Sequence, residues 1–195
     1  MKLARNSKVW IGTPLLTASL MAWLRVWSVA ILVAATFVFM VFFHRDPDRI
    51  PSGPGMISPA DGRVVVASPD MMAIFMNHHN VHVNRSPLEG QIKSVEHMSG
   101  GHVPAFLGSA HQNEQNRVVI DTPDGEIRLR QISGFLVRRI VCYVVPGDRI
   151  KRGERMGMIR FGSRVEITIP EGYRLTVGRG DEVRAGETVV AVKAS

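Results

Sequence analysis

Cysteine is almost missing from this 195-residue chain, where Cys142 is the only one. That excludes an internal disulfide and a cysteine-based zinc site. Within Ile140-Val141-Cys142-Tyr143-Val144-Val145 the thiol reads as a small core side chain. Acidic residues are absent before residue 44, where Lys2, Arg5, Lys8 and Arg25 are the only charged side chains. More than half of the formal net charge of +7 therefore sits in that segment, and the remainder holds 20 basic against 17 acidic residues. Dense basic stripes and basic patches interleaved with aromatics are missing too. That argues against nucleic acid as a partner and suits an anionic surface such as lipid headgroups. Beyond residue 44 no long amphipathic helical pattern occurs.

What is present divides the chain in three. Residues 1–43 are hydrophobic, and Val26–Phe43 carries no charge at all. Such a run is about as long as a bilayer core requires, and Trp10, Trp23 and Trp27 suit headgroup depth. A signal peptide is disfavoured, because the apolar zone is too long and no small-x-small site precedes the polar part. The expectation is an N-terminal helical membrane anchor at the cell membrane, either one span or a hairpin. The basic residues at both ends favour a hairpin dipping into one leaflet, with the following domain on the cytoplasmic face. Residues 44–55, His44-Arg45-Asp46-Pro47-Asp48-Arg49-Ile50-Pro51-Ser52-Gly53-Pro54-Gly55, read as a Pro/Gly linker. Residues 56–195 read as one β domain.

Its short apolar runs are spaced by turn residues: Arg63–Ala67, Val81–Val83, Gln91–Glu96, Arg117–Asp121, Glu126–Ile132, Val137–Val145, Met156–Phe161, Val165–Ile169 and Val189–Val192. Thr122-Pro123-Asp124-Gly125 predicts a hairpin with Asp-Gly at its tip. Met71–Asn77 reads as a short helical or irregular bridge. Gly147-Asp148-Arg149-Ile150-Lys151-Arg152-Gly153-Glu154 repeats as Gly180-Asp181-Glu182-Val183-Arg184-Ala185-Gly186-Glu187. Each copy predicts a turn, one short strand and a second turn. The repeat resembles the hammerhead units of biotinyl- and lipoyl-type proteins. The fold class expected is therefore mainly β and barrel-sandwich-hybrid-like, with the helical anchor in front. A fold of this kind does not specify function.

Three groups can carry chemistry: Asp61 in Ser58-Pro59-Ala60-Asp61-Gly62, the histidines of His78-His79-Asn80-Val81-His82, and Gly162-Ser163. A serine hydroxyl attacks only when a base takes its proton, and the base acts best when an acid orients it. Asp61, His82 and Ser163 supply those three types. Residues three apart on a strand face opposite ways, so His79 and His82 share a site only if residues 78–80 turn or bulge. The electrophile is the carbonyl of Gly162, unshielded and free to adopt strained geometry. Attack by Ser163 Oγ shifts the acyl group from nitrogen to oxygen. β-Elimination then breaks the Cβ–O bond, leaving a carboxylate on Gly162 and a dehydroalanine. Water hydrolyses the dehydroalanine to a pyruvoyl group and ammonia. The products are residues 1–162 and 163–195.

Four motifs in order, Ser-Pro-Ala-Asp-Gly, His79-x-x-His82 before Ser86-Pro87-Leu88-Glu89-Gly90, Asn113-Glu114-Gln115-Asn116-Arg117 and Phe161-Gly162-Ser163-Arg164, resemble the phosphatidylserine decarboxylase family. The match is to its short subclass, which includes enzymes acting on archaetidylserine, and it covers residues 44–195. The resemblance implies a pyruvoyl cofactor made from Ser163, a serine-headgroup phospholipid substrate, and an ethanolamine lipid plus CO2 as products. It implies Asp61, His82 and Ser163 as the self-cleavage triad, with the pyruvoyl group holding substrate as a Schiff base. It implies His79 as the second histidine, acting in decarboxylation. It also implies a membrane partner, chains that stay associated after cleavage, and a homodimer. Longer members read Leu-Gly-Ser-Thr and Asn-Glu-Arg, whereas here Phe161 and Arg164 flank Gly162-Ser163, and Gln115-Asn116 precedes Arg117. Arg117 and Phe106 are the substrate-contact candidates; no metal is expected. Two other classes compete: a membrane-anchored biotinyl-like adaptor, and a zinc hydrolase using the histidines with Asp61. The adaptor leaves the histidines idle. The zinc site has poor ligand spacing and lacks a helical His-Glu-x-x-His.

Overall fold

A computed structural model describes residues 2–101, 103, 112–134, 139–160 and 163–194. The chain separates into two compact units, residues 1–48 and 49–195.

In the first unit a two-residue strand, β1 (Lys2–Leu3), precedes helices α1 (Lys8–Trp23) and α2 (Trp27–Phe43), and β2 (Arg45–Asp46) follows. Lys2 pairs with Asp46 and Leu3 with Arg45, antiparallel. The expected membrane anchor is overturned. The helices are 16 and 17 residues long, and no described helix is long and apolar enough to cross a membrane. At 1.5 Å of rise per residue each covers about 25 Å of a hydrocarbon layer about 30 Å thick. The apolar zone is divided at Arg25, whose φ of 60° turns the chain between the helices. Val26 caps α2 instead of extending it.

The second unit is mainly β, as expected. In chain order its strands are β3 (Met56–Ile57), β4 (Gly62–Ser68), β5 (Met71–Met76), β6 (Val83–Arg85), β7 (Gly90–Met98), β8 (Gln115–Thr122) and β9 (Gly125–Ile132). Then follow β10 (Ile140–Cys142), β11 (Arg149–Ile150), β12 (Arg155–Ile159), β13 (Ser163–Thr168), β14 (Tyr173–Leu175), β15 (Glu182–Val183) and β16 (Val189–Lys193). One antiparallel sheet runs β11-β7-β8-β9-β13-β5-β4-β15, and two three-stranded sheets run β10-β12-β6 and β14-β16-β3. Alternation along the strands builds the core. On β13, Val165 and Ile167 are 0% and 1% exposed and join Met72, Ile74, Val118 and Leu129 in one apolar cluster.

Met71–Met76 is a strand, not the helical or irregular bridge that its sequence suggests. It lies between β4 and β13 with residues buried on both faces, so it shows no alternation to read. Residues 81 and 82 fall just before β6, so the run Val81–Val83 is strand only at its end. The hairpin forms where expected, but its tip is Pro123-Asp124, because Thr122 pairs directly with Gly125.

The two Gly-Asp repeats end up at opposite edges of the large sheet, as β11 and β15. They make the same hydrogen bonds twice. Gly147 N–H donates to Ile92 O at 2.8 Å and Gly180 N–H to Val64 O at 2.9 Å. Further on, Gly153 N–H donates to Ser86 O and Gly186 N–H to Ser58 O, both at 2.8 Å. The Ser-Pro turns at 58–59 and 86–87 are tied reciprocally: Arg85 N–H donates to Pro59 O and Ile57 N–H to Pro87 O. The fold thus pairs two equivalent turns, one carrying Asp61 and the other Glu89. Asp61 is 6% exposed, whereas Glu89 is exposed.

Candidate active site

Ser163 opens β13 and faces Met76, the last residue of β5. It is wholly buried, and among the described residues its Oγ has no hydrogen-bond partner. Buried hydroxyls are ordinarily paired, so an orphan at this position calls for a functional reason.

From Met76 the chain makes the turn that the histidine spacing demanded. Asn80 N–H donates to Asn77 O at 2.9 Å, and Asn77 N–H donates to Asn80 Oδ1 at 2.8 Å. The tip carries His78 and His79, both exposed, with rings edge-on at 5.6 Å. Val81 and His82 return into the interior, 4% and 0% exposed. His82 Nδ1 lies 3.0 Å from Asn80 O. Only a protonated Nδ1 can make that bond, so in the neutral ring Nε2 is the basic nitrogen.

Asp61 comes from the turn before β4. Ser58 Oγ donates to Ala60 O at 2.7 Å and shapes that turn. Gly62 then adopts φ 143°, where an added Cβ would lie 2.1 Å from Phe75 O, so only glycine fits. The Asp61 carboxylate accepts three hydrogen bonds: Oδ1 from Ala185 N–H at 2.7 Å, and Oδ2 from Arg49 at 3.1 Å and Val81 N–H at 3.4 Å. The last ties it to the residue before His82. Arg63, Phe75 and Arg164 form one row across β4, β5 and β13, so Asp61 and Ser163 stand at the same end of that row.

The structure therefore gathers Asp61, His82 and Ser163 at one sheet end. It places His79 beside them in sequence but at an exposed tip. Gly162 and Phe106 lie outside the described residues. Arg117 is not brought to Ser163. It faces Glu96 on β7 and Arg130 on β9, and Arg130 faces Glu166. These residues line an open cleft of about 490 Å³ on the sheet face away from the Ser163 side chain. Glu166, an odd number of residues from Ser163 on β13, points the other way and pairs with Arg164 at 2.7 Å and with Arg130.

Sequence reasoning missed two arginines. Arg49, placed in the linker, is 12% exposed and bridges Asp61 to Glu187, its second nitrogen 2.6 Å from Glu187 Oε2. That contact holds the Glu187 carboxyl below its ordinary value of 4.5. Arg160 is 1% exposed two residues before Gly162, and burial lowers its pKa. Neither shows a periodic or motif signal.

The family model for phosphatidylserine decarboxylase matches residues 36–191. The chain belongs to the phosphatidylserine decarboxylase family. A phosphatidylserine decarboxylase proenzyme of Thermobifida fusca is 42% identical over 198 residues, covering 96% of this chain and 91% of its own. One of Streptomyces griseus subsp. griseus is 43% identical over 197 residues, covering 96% and 92%. A protein of Methanococcoides burtonii, provisionally assigned as an archaetidylserine decarboxylase proenzyme, is 42% identical over 200 residues, covering 98% and 96%. The chain is accordingly an enzyme, a carboxy-lyase of the phosphatidylserine decarboxylase type, and the adaptor and zinc-hydrolase alternatives are not favoured.

Proposed function

We propose that this decarboxylase matures by cutting itself between Gly162 and Ser163, and then converts a serine-headgroup phospholipid to the ethanolamine lipid with a pyruvoyl group derived from Ser163. The observation that carries the reading is the buried, unpartnered Ser163 Oγ at the sheet end shared with His82 and Asp61. The surroundings fit the group, since its side-chain oxygen is orphaned on the apolar face of β13, where water is excluded.

His82 takes the Ser163 proton through Nε2, its Nδ1 proton being held by Asn80 O. Asp61, fixed by Ala185, Arg49 and Val81, is held against the residue that precedes that histidine. Once formed, the pyruvoyl group supplies an electron sink for loss of CO2. His79, exposed at the turn tip, holds the proton that replaces CO2. The cut leaves residues 163–195 woven in. In that fragment β13 pairs with β5 and β9, β15 with β4, and β16 with β3. Asp124, from the larger fragment, accepts from Tyr173 at 2.7 Å and meets Lys193 at 2.6 Å. The two chains therefore stay together until denatured. The reading also includes delivery of the lipid from a membrane surface, with the domain on the cytoplasmic side, and a homodimer, which sedimentation of the purified protein checks.

The test is the mass of the denatured protein. Two chains are expected, one ending at Gly162 and one starting with a blocked residue 163 that resists Edman degradation. One unbroken chain with an intact serine refutes the proposal. Feeding acyl- and isoprenoid-chain serine lipids separately, and weighing the products, identifies the substrate. His79→Ala is expected to mature normally yet lose decarboxylation by about 100-fold, within the usual range for a general acid–base group. If that variant fails to cleave, His79 belongs to maturation instead.

A further inference from the structure

Ser163 is not the only orphan hydroxyl at its sheet end. Ser133 is also wholly buried, and its Oγ likewise has no hydrogen-bond partner among the described residues. Its main chain is fully engaged: its N–H donates to Glu114 O at 2.9 Å, and its carbonyl accepts from the Asn113 side chain at 2.8 Å. The backbone is therefore pinned while the side chain is left open.

Register places the two serines together. Val165 faces Gln131 and Arg164 faces Ile132 across β13 and β9. Gln115 faces Ile132 across β8 and β9, and the Ser133–Glu114 bond carries that ladder one residue further. One more step along the same register sets Ser133 opposite Ser163. Alternation puts both on the core face, with Val165 and Gln131. Directly opposed residues of an antiparallel pair have Cβ atoms about 4.5–5.5 Å apart, close enough for one oxygen to bond to both side chains.

Three other buried polar side chains near Ser133 are paired with one another or with Met76. Asn116 donates to Gln131 Oε1 at 3.1 Å, Gln131 donates to Asn84 Oδ1 at 2.8 Å, and Asn84 Nδ2 meets Met76 Sδ at 3.7 Å. The polar ladder stops short of the two hydroxyls. Packing has satisfied its neighbours and left Ser133 able to donate.

We infer that Ser133 is a further catalytic group, whose hydroxyl donates a hydrogen bond to the oxygen carried at position 163. Neither hydroxyl is hydrogen-bonded to a described residue in the uncut chain; the bond forms as charge develops, first on the ester oxygen that leaves with Gly162 and then on the ketone oxygen. A donor already in place at a water-poor site stabilises developing charge without reorganising. The inference rests on the pyruvoyl reading.

Ser133→Ala and Ser133→Thr in the full chain test it by three readouts: the time course of chain scission, kcat against KM on dispersed serine lipid, and the melting temperature. Ser133→Ala is expected to slow scission and lower kcat by about 100-fold, the usual cost of one such donor, with KM unchanged. Its melting point is expected to hold or rise, since it deletes an unpaired buried hydroxyl. Ser133→Thr, which keeps the hydroxyl, recovers most of both rates. Scission and turnover within twofold of wild type in Ser133→Ala overturn the inference. So does an Ala variant that melts low or fails to fold, because the hydroxyl is then structural. An unbroken wild-type chain instead strikes the pyruvoyl reading itself, whereas a cleaved, active wild type beside an unaffected Ser133→Ala strikes Ser133 alone.

Discussion

Ser163→Ala is expected to yield one unbroken chain with no detectable decarboxylation, a loss of about 10⁴-fold or more. The change is small in volume. It removes a hydroxyl with no partner, at a position that contributes to the sheet through its backbone pairing with Met76. The fold should persist, with a melting point at or slightly above that of wild type. Loss of activity together with loss of the cut, in a folded protein, separates a chemical role from a packing role. Electrophoresis under denaturing conditions and a lipid assay on the same preparation check it. Residual decarboxylation by the uncut variant would remove position 163 from the chemistry.

Arg49→Ala is expected to be the most damaging change outside the reacting residues. The Arg49 side chain is 12% exposed and sits between two carboxylates, of which the Asp61 side chain is likewise buried. Removing one partner of a buried ion pair leaves the other charge uncompensated, which costs roughly 3–5 kcal/mol. Asp61 keeps its bonds from Ala185 and Val81, so the low end applies, about 3 kcal/mol or roughly 10 °C in melting temperature. Scission should slow as well, since the acid beside His82 loses its fixed orientation. Arg49→Lys retains the charge but cannot bridge both acids, and is expected to fall between. The effect should depend on pH. Arg49 lowers the pKa of Glu187, so that part of the stability is fully present above the ordinary value of 4.5 and is lost as pH falls through the depressed folded value. The gap in stability between wild type and Arg49→Ala should therefore narrow on acidification below that value. A variant melting within about 2 °C of wild type at neutral pH would show that the bridge contributes little.

Much of the site was readable because its parts are local motifs. Ser58-Pro59-Ala60-Asp61-Gly62 needs glycine for a backbone approach to Phe75, and the turn around His78 and His79 is the bend that lets His82 point inward. The Gly-Asp repeats were legible because each is a self-contained pair of turns. Met71–Met76 was not, since a strand covered on both faces loses the two-residue alternation that marks a strand. Arg49 reads as a linker residue because its partners are 12 and 138 positions away. The hydrophobic N-terminus misled for a related reason: composition counts apolar residues, but the turn at Arg25 decides how many fall in one helix.

The linear order of residues was sufficient to determine the family and the mainly β character of residues 56–195, and to single out the serine proposed to carry the chemistry. Those rest on short-range patterns that survive without knowing what lies opposite. Only the folded chain decided that Asp61 is gripped by Arg49, that Arg117 faces away from Ser163, and that Ser133 follows Ile132, the residue paired with Arg164. Such relations are set by strand order and register, which join residues far apart in the chain and leave no periodic trace within any one segment.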